Sequence, residues 1–169
     1  NYQAGYVGSR LFLWLKDYLM GKFFFVATML MVSLGCVHAQ DDSVQQLEQV
    51  QFDNIVIELG GKKYNVEYAK TFEQRARGLM FRKELCEDCG MFFKFNTAKL
   101  AGMWMKNTYI PLDVAFIDRN GVISDIKPLT PHSLASVGSS KKVLFALEMN
   151  QGWFAKHNIR VGDQINIHR

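Results

Sequence analysis

Hydrophobic and polar positions alternate from Asn54 to Leu59, with Ile55, Ile57 and Leu59 set against Val56 and Glu58. That period of two predicts a strand, and Gly60-Gly61 supplies a hairpin turn into a return strand over Lys62 to Ala69. Thr71-Phe72-Glu73-Gln74 has the form of a capping box and predicts a short helix through Arg77. The apolar Gly78-Leu79-Met80-Phe81 that follows is expected to pack on the sheet. Met91 to Phe95 and Met103 to Lys106 read as two further strands. Leu112 to Asp118 and Val122 to Ile126 form the clearest hairpin, and Asn120-Gly121 in its turn favours type I′ geometry. Leu129 to Ser140, with Pro131, Gly138 and several serines, reads as a loop. Val143 to Met149 reads as a buried strand, Gly152 to His157 as one helical turn and Asp163 to His168 as the last strand. Many short strands and few helices predict a mainly β fold, α+β by content. The expected form is a single compact antiparallel β-sandwich, jelly-roll or barrel-like domain over residues 53–169, with one or two short helices.

The N-terminal pattern is different. Met20-Gly21-Lys22 gives a short basic start, Phe23 to Leu34 an apolar run, and Val37 and Ala39 the small residues of a cleavage site before Gln40. Residues 20–39 are therefore expected to be a signal peptide, with 1–19 an N-terminal extension and 40–52 a polar linker. The apolar run is shorter than the roughly 20 residues that span a bilayer. A rival reading makes Cys36, after Ser33-Leu34-Gly35, the acylated first residue of a lipoprotein. Either way the protein is expected to be exported, periplasmic or secreted in the first case and membrane-anchored in the second. Cleavage after Ala39 removes Arg10, Lys16, Lys22 and Asp17, so the net charge falls from +4 to about +2. No run of Lys or Arg remains to track a phosphate backbone, and no nucleic-acid partner is expected. Membrane contact is expected only through the signal peptide or a lipid on Cys36, and the domain is expected to be a monomer.

Candidate chemistry concentrates in Trp104-Met105-Lys106-Asn107-Thr108-Tyr109-Ile110-Pro111-Leu112-Asp113. A lysine and an aspartate stand there among large apolar side chains, a costly setting unless they are paired or used. Lys106, Asn107 and Asp113 therefore read as a ligand site or as an internal ion pair around a turn. Arg77 and Arg82 flank the helix end, and their guanidinium groups suit carboxylate or phosphate. The bland alternative has them neutralising helix-end carbonyls and nearby Glu73 or Glu148. Asp113 with Glu148 is the candidate carboxylate pair for hydrolysis. Trp104, Tyr109, Trp153 and Phe154 are either sugar-stacking walls or core.

Cys86 and Cys89 in an exported chain are expected to form a local disulfide. Redox exchange, free thiols, or a metal shared with His132, His157 or His168 remain the alternatives, and no spacing supports the metal. No cofactor and no metal are expected. Nothing resembles a phosphate-binding loop, a dinucleotide fingerprint or a nucleophile elbow.

Three blocks carry a family resemblance: Glu73 to Arg82 (EQRARGLMFR), Gly90-Met91-Phe92-Phe93, and Trp104 to Asp118. Val143 to Glu148 (VLFALE), Gly152 and Ile159 to Ile165 complete the pattern. The chain resembles domain-of-unknown-function family 192 over residues 54–168, a small exported or envelope-associated domain of bacteria and archaea. The resemblance implies a mainly β sandwich or jelly roll, with no established substrate, cofactor or catalytic residue. Cys86-Glu87-Asp88-Cys89 departs from the ordinary polar loop expected before Gly90. The expected function is binding of a small polar or anionic ligand in the cell envelope, at Arg77, Arg82, Trp104, Lys106, Asn107, Asp113 and Glu148. The alternatives are a hydrolase with Asp113 or Glu148 as general base, and a structural or protein-interaction module.

Overall fold

The computed structural model describes residues 50–168; the expected N-terminal extension, the expected signal peptide and linker residues 40–49 lie outside the described residues. Strand β1 (Asp53–Leu59) turns at Gly60-Gly61 into β2 (Lys62–Ala69). Both glycines have positive φ, 60° and 76°, as a two-residue type I′ turn demands. Helix α1 (Phe72–Arg77) starts on Thr71, whose hydroxyl accepts from the Gln74 N–H while the Gln74 side chain accepts from the Thr71 N–H. The remaining elements are β3 (Gly90–Met103), β4 (Leu112–Ile117), β5 (Ile123–Leu129), β6 (Val137–Asn150), α2 (Trp153–Lys156) and β7 (Asn166–His168).

The strands form one seven-stranded sheet in the order β5-β4-β6-β3-β2-β1-β7. The fold is mainly β with two short helices, as the patterning predicts, and the sheet does not close into a barrel. Its ends nevertheless meet: Ile123 donates to Asp163 O, Ile165 donates to Gly121 O, and Val122 bridges Gln164. One pairing departs from the antiparallel expectation. β2 and β3 run parallel, with Tyr68 opposite Phe92. Parallel neighbours need a long crossover, and residues 70–89, carrying α1, supply it.

β3, β4 and β6 are buried on both faces, which explains their consecutive apolar positions. On one face Phe92, Ala115, Ile117, Leu147 and Met149 pack with Ile57, Leu59, Trp153 and Phe154. On the other, Met91, Phe93, Val114, Phe116 and Ala146 pack with Leu79, Met103 and Met105. Burying each such Phe stabilises by roughly 1.5–3 kcal/mol.

Several boundaries differ from the patterning; the last strand, for one, begins at Asn166 and not at Asp163. Met91 to Phe95 and Met103 belong to one long β3, because residues 99–103 pair with the first half of β6, Lys99 opposite Val143 and Met103 opposite Val137. The polar Asn96 and Thr97 between them are exposed, so their polarity marks a solvated stretch of strand and not a break. For the same reason β6 begins at Val137, inside the expected loop. At the β4–β5 turn only Gly121 has positive φ (84°), not Asn120. The Asp118 carboxylate instead accepts from the Asn120 and Val122 N–H groups, and Gly121 N–H reaches Asp118 O, the three-residue hairpin form.

Candidate functional site

The crossover from β2 to β3 lies over the second apolar face without filling it. Between α1 and the sheet is a cleft of about 330 Å³, near the lower bound for small-molecule sites. Phe93 and Phe95 of β3 and Glu148 of β6 line it from the sheet; Phe72, Arg75, Ala76 and Arg77 line it from α1. Lys99, Met103, Trp104 and Thr108 complete the wall. Phe72 and Trp104, both large apolar residues left exposed (72% and 50%), thus sit at this cleft.

The order around the cleft comes from a strained junction. Phe81 and Asn107 both have left-handed backbone, φ 66° and 53°, and the Phe81 N–H donates to Asn107 O at 2.8 Å. Positive φ is costly for a bulky residue such as Phe81. This bond ties the end of the EQRARGLMFR block to the start of the Trp104 block. Arg77 lies 4.9 Å from the Phe81 ring and donates to Met80 O. Arg75 donates to Lys70 O (2.6 Å), just past the end of β2, and to Lys94 O (3.1 Å), pinning α1 to β3. Lys99 reaches over the Phe95 ring at 4.9 Å.

Two carboxyls are buried in the domain, and their surroundings differ. Burial alone would raise the Asp125 carboxyl, but the Ser140 N–H (3.0 Å), the Ser124 hydroxyl (2.8 Å) and Lys127 (3.5 Å) outweigh it and hold the pKa low. Asp125 is an anion fixed for structure. Glu148, 4% exposed, goes the other way: burial pushes its pKa up to about 8. A carboxyl at the floor of a cleft and neutral at pH 7 is a proton donor waiting for an acceptor, or a base near its working pH.

Of the residues singled out by sequence, the structure brings Arg77, Trp104 and Glu148 together at the cleft. Arg82 turns instead to Glu67 of β2. Lys106 is exposed and lies 5.7 Å from the Trp104 ring, while Asn107 holds the turn. The Asp113 carboxylate accepts the Gly152 N–H at 2.8 Å and so anchors the start of α2. An internal Lys106–Asp113 pair is therefore not formed. Nor do Asp113 and Glu148 make a carboxylate pair. Asp113 stands opposite Met149 and Val114 opposite Glu148, so the two acids point to opposite faces of the sheet. Tyr109 packs edge-on to His132 at 5.0 Å, while Trp153 and Phe154 are core.

Sequence reasoning missed Arg75 and Lys99. Arg75 falls in the capped helix two residues before Arg77, and a shared helix-end role was its one available signal. Lys99 lies in a stretch read as a connection.

Exposure and partners set a stability expectation. Lys106→Met should change the unfolding free energy by no more than about 0.5 kcal/mol, whereas Asp113→Asn, which weakens a charge-assisted bond, should cost about 1–2 kcal/mol. Urea denaturation of the two variants beside wild type checks both; a multi-kcal loss in Lys106→Met would mean the lysine is paired after all.

Cys86 and Cys89 are joined by a disulfide with Cα atoms 5.0 Å apart. His157 lies against Asp88 (3.5 Å) and His168 against Glu58 (2.8 Å), each a single pairing. No group of three or more His, Cys, Asp or Glu among the described residues is placed to hold a metal ion.

The family model described as DUF192, uncharacterized ACR, matches residues 55–167. No curated protein is found to be similar to the chain. Among solved structures, a protein provisionally described as a transcription regulator from Sinorhizobium meliloti is 35% identical with a TM-score of 0.67. That match covers 70% of this chain and 97% of the other. A protein of unknown function from Novosphingobium aromaticivorans is 31% identical with a TM-score of 0.62, over 69% of this chain and 86% of the other.

Proposed function

The chain belongs to the DUF192 family of uncharacterized proteins, and from the lining of its cleft we propose that the domain binds a small polar or anionic ligand beneath α1. Glu148 carries the reading. A carboxyl held neutral by burial donates a hydrogen bond to an acceptor oxygen, and Arg77 and Lys99 in the same lining supply positive charge for an anion. Phe93, Phe95 and Trp104 offer apolar and aromatic walls to the remainder of the ligand. Arg82, Lys106, Asn107 and Asp113 are supports of the surrounding loops in this reading. An envelope location rests on the signal-peptide reading of residues 20–39, and the Cys86–Cys89 disulfide is in keeping with an oxidising compartment.

The raised pKa of Glu148 also favours a second reading, an enzyme that uses this carboxyl as general acid or base. Asp113, engaged with Gly152 on the opposite face, takes no part in it.

The test is a thermal-shift panel of small carboxylates, phosphates and acidic sugars against wild type, Glu148→Gln and Lys99→Glu. A ligand at a hundred times its Kd adds about 2.7 kcal/mol to the stability of the wild type. That gain should shrink in Glu148→Gln and vanish in Lys99→Glu. Equal gains in all three proteins would place binding outside the cleft and defeat the proposal.

A further inference from the structure

The turn over residues 85–88 stands apart from the cleft and makes a dense set of contacts with one neighbour. The Asn150 side-chain amide donates toward three successive carbonyls, Cys86 O at 2.8 Å, Glu87 O at 3.3 Å and Leu85 O at 3.4 Å. The indole N–H of Trp153 donates to the Asp88 carboxylate at 2.9 Å, and His157 Nε2 approaches the same oxygen at 3.5 Å. Lys156 pairs with Glu87. Every one of these partners belongs to α2 or its flanks. Three carbonyls converge on one amide only while the turn stays tight, and what tightens it is the Cys86–Cys89 bridge with the Cys89 N–H to Cys86 O bond inside it.

A bridge over two intervening residues constrains the unfolded chain little, so its main effect is local. Lys83, Glu84, Cys86, Glu87 and Asp88 are exposed, and the turn has almost no apolar packing of its own beyond Leu85. Segments with few buried contacts open separately from the rest of a fold. α2 itself keeps Trp153 and Phe154 in the core, and Asp113 holds its first N–H from the other side.

We propose that Cys86–Cys89 is a reducible latch: exchange with a dithiol opens it and releases the 85–88 turn from Asn150 and α2 while the sheet stays folded. Cys86 is exposed and Cys89 half-buried, so the incoming thiolate attacks the Cys86 sulphur. The sulphur–sulphur bond breaks and Cys89 leaves as a thiolate that takes up a proton. The second thiol of the reductant then displaces Cys86 from the mixed disulfide. Two electrons and two protons pass to the protein, and the dithiol becomes a disulfide. This device is independent of ligand binding in the cleft.

The test uses the oxidised full chain with and without dithiothreitol in native buffer, with a thiol count and amide hydrogen exchange. Reduction should add two thiols per chain. It should speed exchange at least tenfold at the Cys89 amide and the Trp153 indole N–H, and leave the β4 amides of residues 114–117 unchanged. The Cys86→Ser/Cys89→Ser double variant should reproduce the reduced pattern without reductant. No gain of thiols in native buffer would overturn the proposal, as would unchanged exchange at the Cys89 amide and the Trp153 indole N–H after a verified gain of two. Faster exchange throughout the sheet would also overturn it, since the bridge would then hold the whole fold.

Discussion

A Gly90→Ala variant is expected to lose about 3 kcal/mol of unfolding free energy, or to fail to accumulate as folded protein. Gly90 opens β3 opposite Met149, and β6 passes so close that a Cβ there would stand 2.4 Å from the Glu148 carbonyl oxygen and 2.2 Å from Met149 Sδ. The methionine side chain can turn away. The carbonyl cannot, because β6 is paired with β3 on one side and β4 on the other, and moving it breaks both ladders. Gly138→Ala is the matched control. It lies in the same β6, and its added Cβ would meet only Ala101 O at an ordinary 3.8 Å. Urea denaturation of the three proteins decides the matter. If Gly90→Ala and Gly138→Ala fall within 0.5 kcal/mol of each other, the β3–β6 approach is looser than drawn, and the register that delivers Glu148 to the cleft goes with it.

What sequence made legible was whatever local chemistry decides. Gly60-Gly61, the Thr71 capping box and the helical turn at Trp153 each carry their own signal, because a turn or cap is satisfied within a few residues. The parallel β2–β3 pairing carries none, since it depends on where a 20-residue crossover sets its end down. The site divides the same way. Glu148 was visible as an acid in an apolar strand, and burial on both faces of β6 is what made it stand out. The same double burial hid which way Asp113 points. In Leu112-Asp113-Val114-Ala115-Phe116-Ile117 the apolar residues occupy both faces, so alternation gives no inner side, and only the register against Met149 separates Asp113 from Glu148. Lys106 looked expensive because its neighbours are apolar, yet it sits in a turn where Met105 goes inward and the ammonium stays in water. Lys99 reaches the cleft only because β3 runs on past its apolar half, a length that Asn96 and Thr97 conceal.

The largest pH effect should come from Glu148. Its pKa is about 8 in the folded chain against an ordinary 4.5, so between those values the folded state holds one proton that the unfolded state has lost. Stability therefore falls as pH rises from about 4.5 to about 8 and levels off above it. At about 1.4 kcal/mol per unit the whole window is worth roughly 4–5 kcal/mol. The difference between wild type and Glu148→Gln cancels the contribution of every other group and is the quantity to measure. Glutamine cannot ionise, so the variant should gain on wild type steadily from pH 5 to pH 8, and the gain should then stay constant to pH 9. Chemical denaturation at one-unit steps gives the curve. A flat difference would mean that Glu148 is already an anion at neutral pH. In that case an acceptor-bearing or anionic ligand meets a like charge at the floor of the cleft, and the site would have to be reassigned to a cation. A rising difference leaves a protonated carboxyl in a cleft that Arg77 and Lys99 also line. Anion binding should then weaken above pH 8, as Glu148 loses the proton it shares with the ligand.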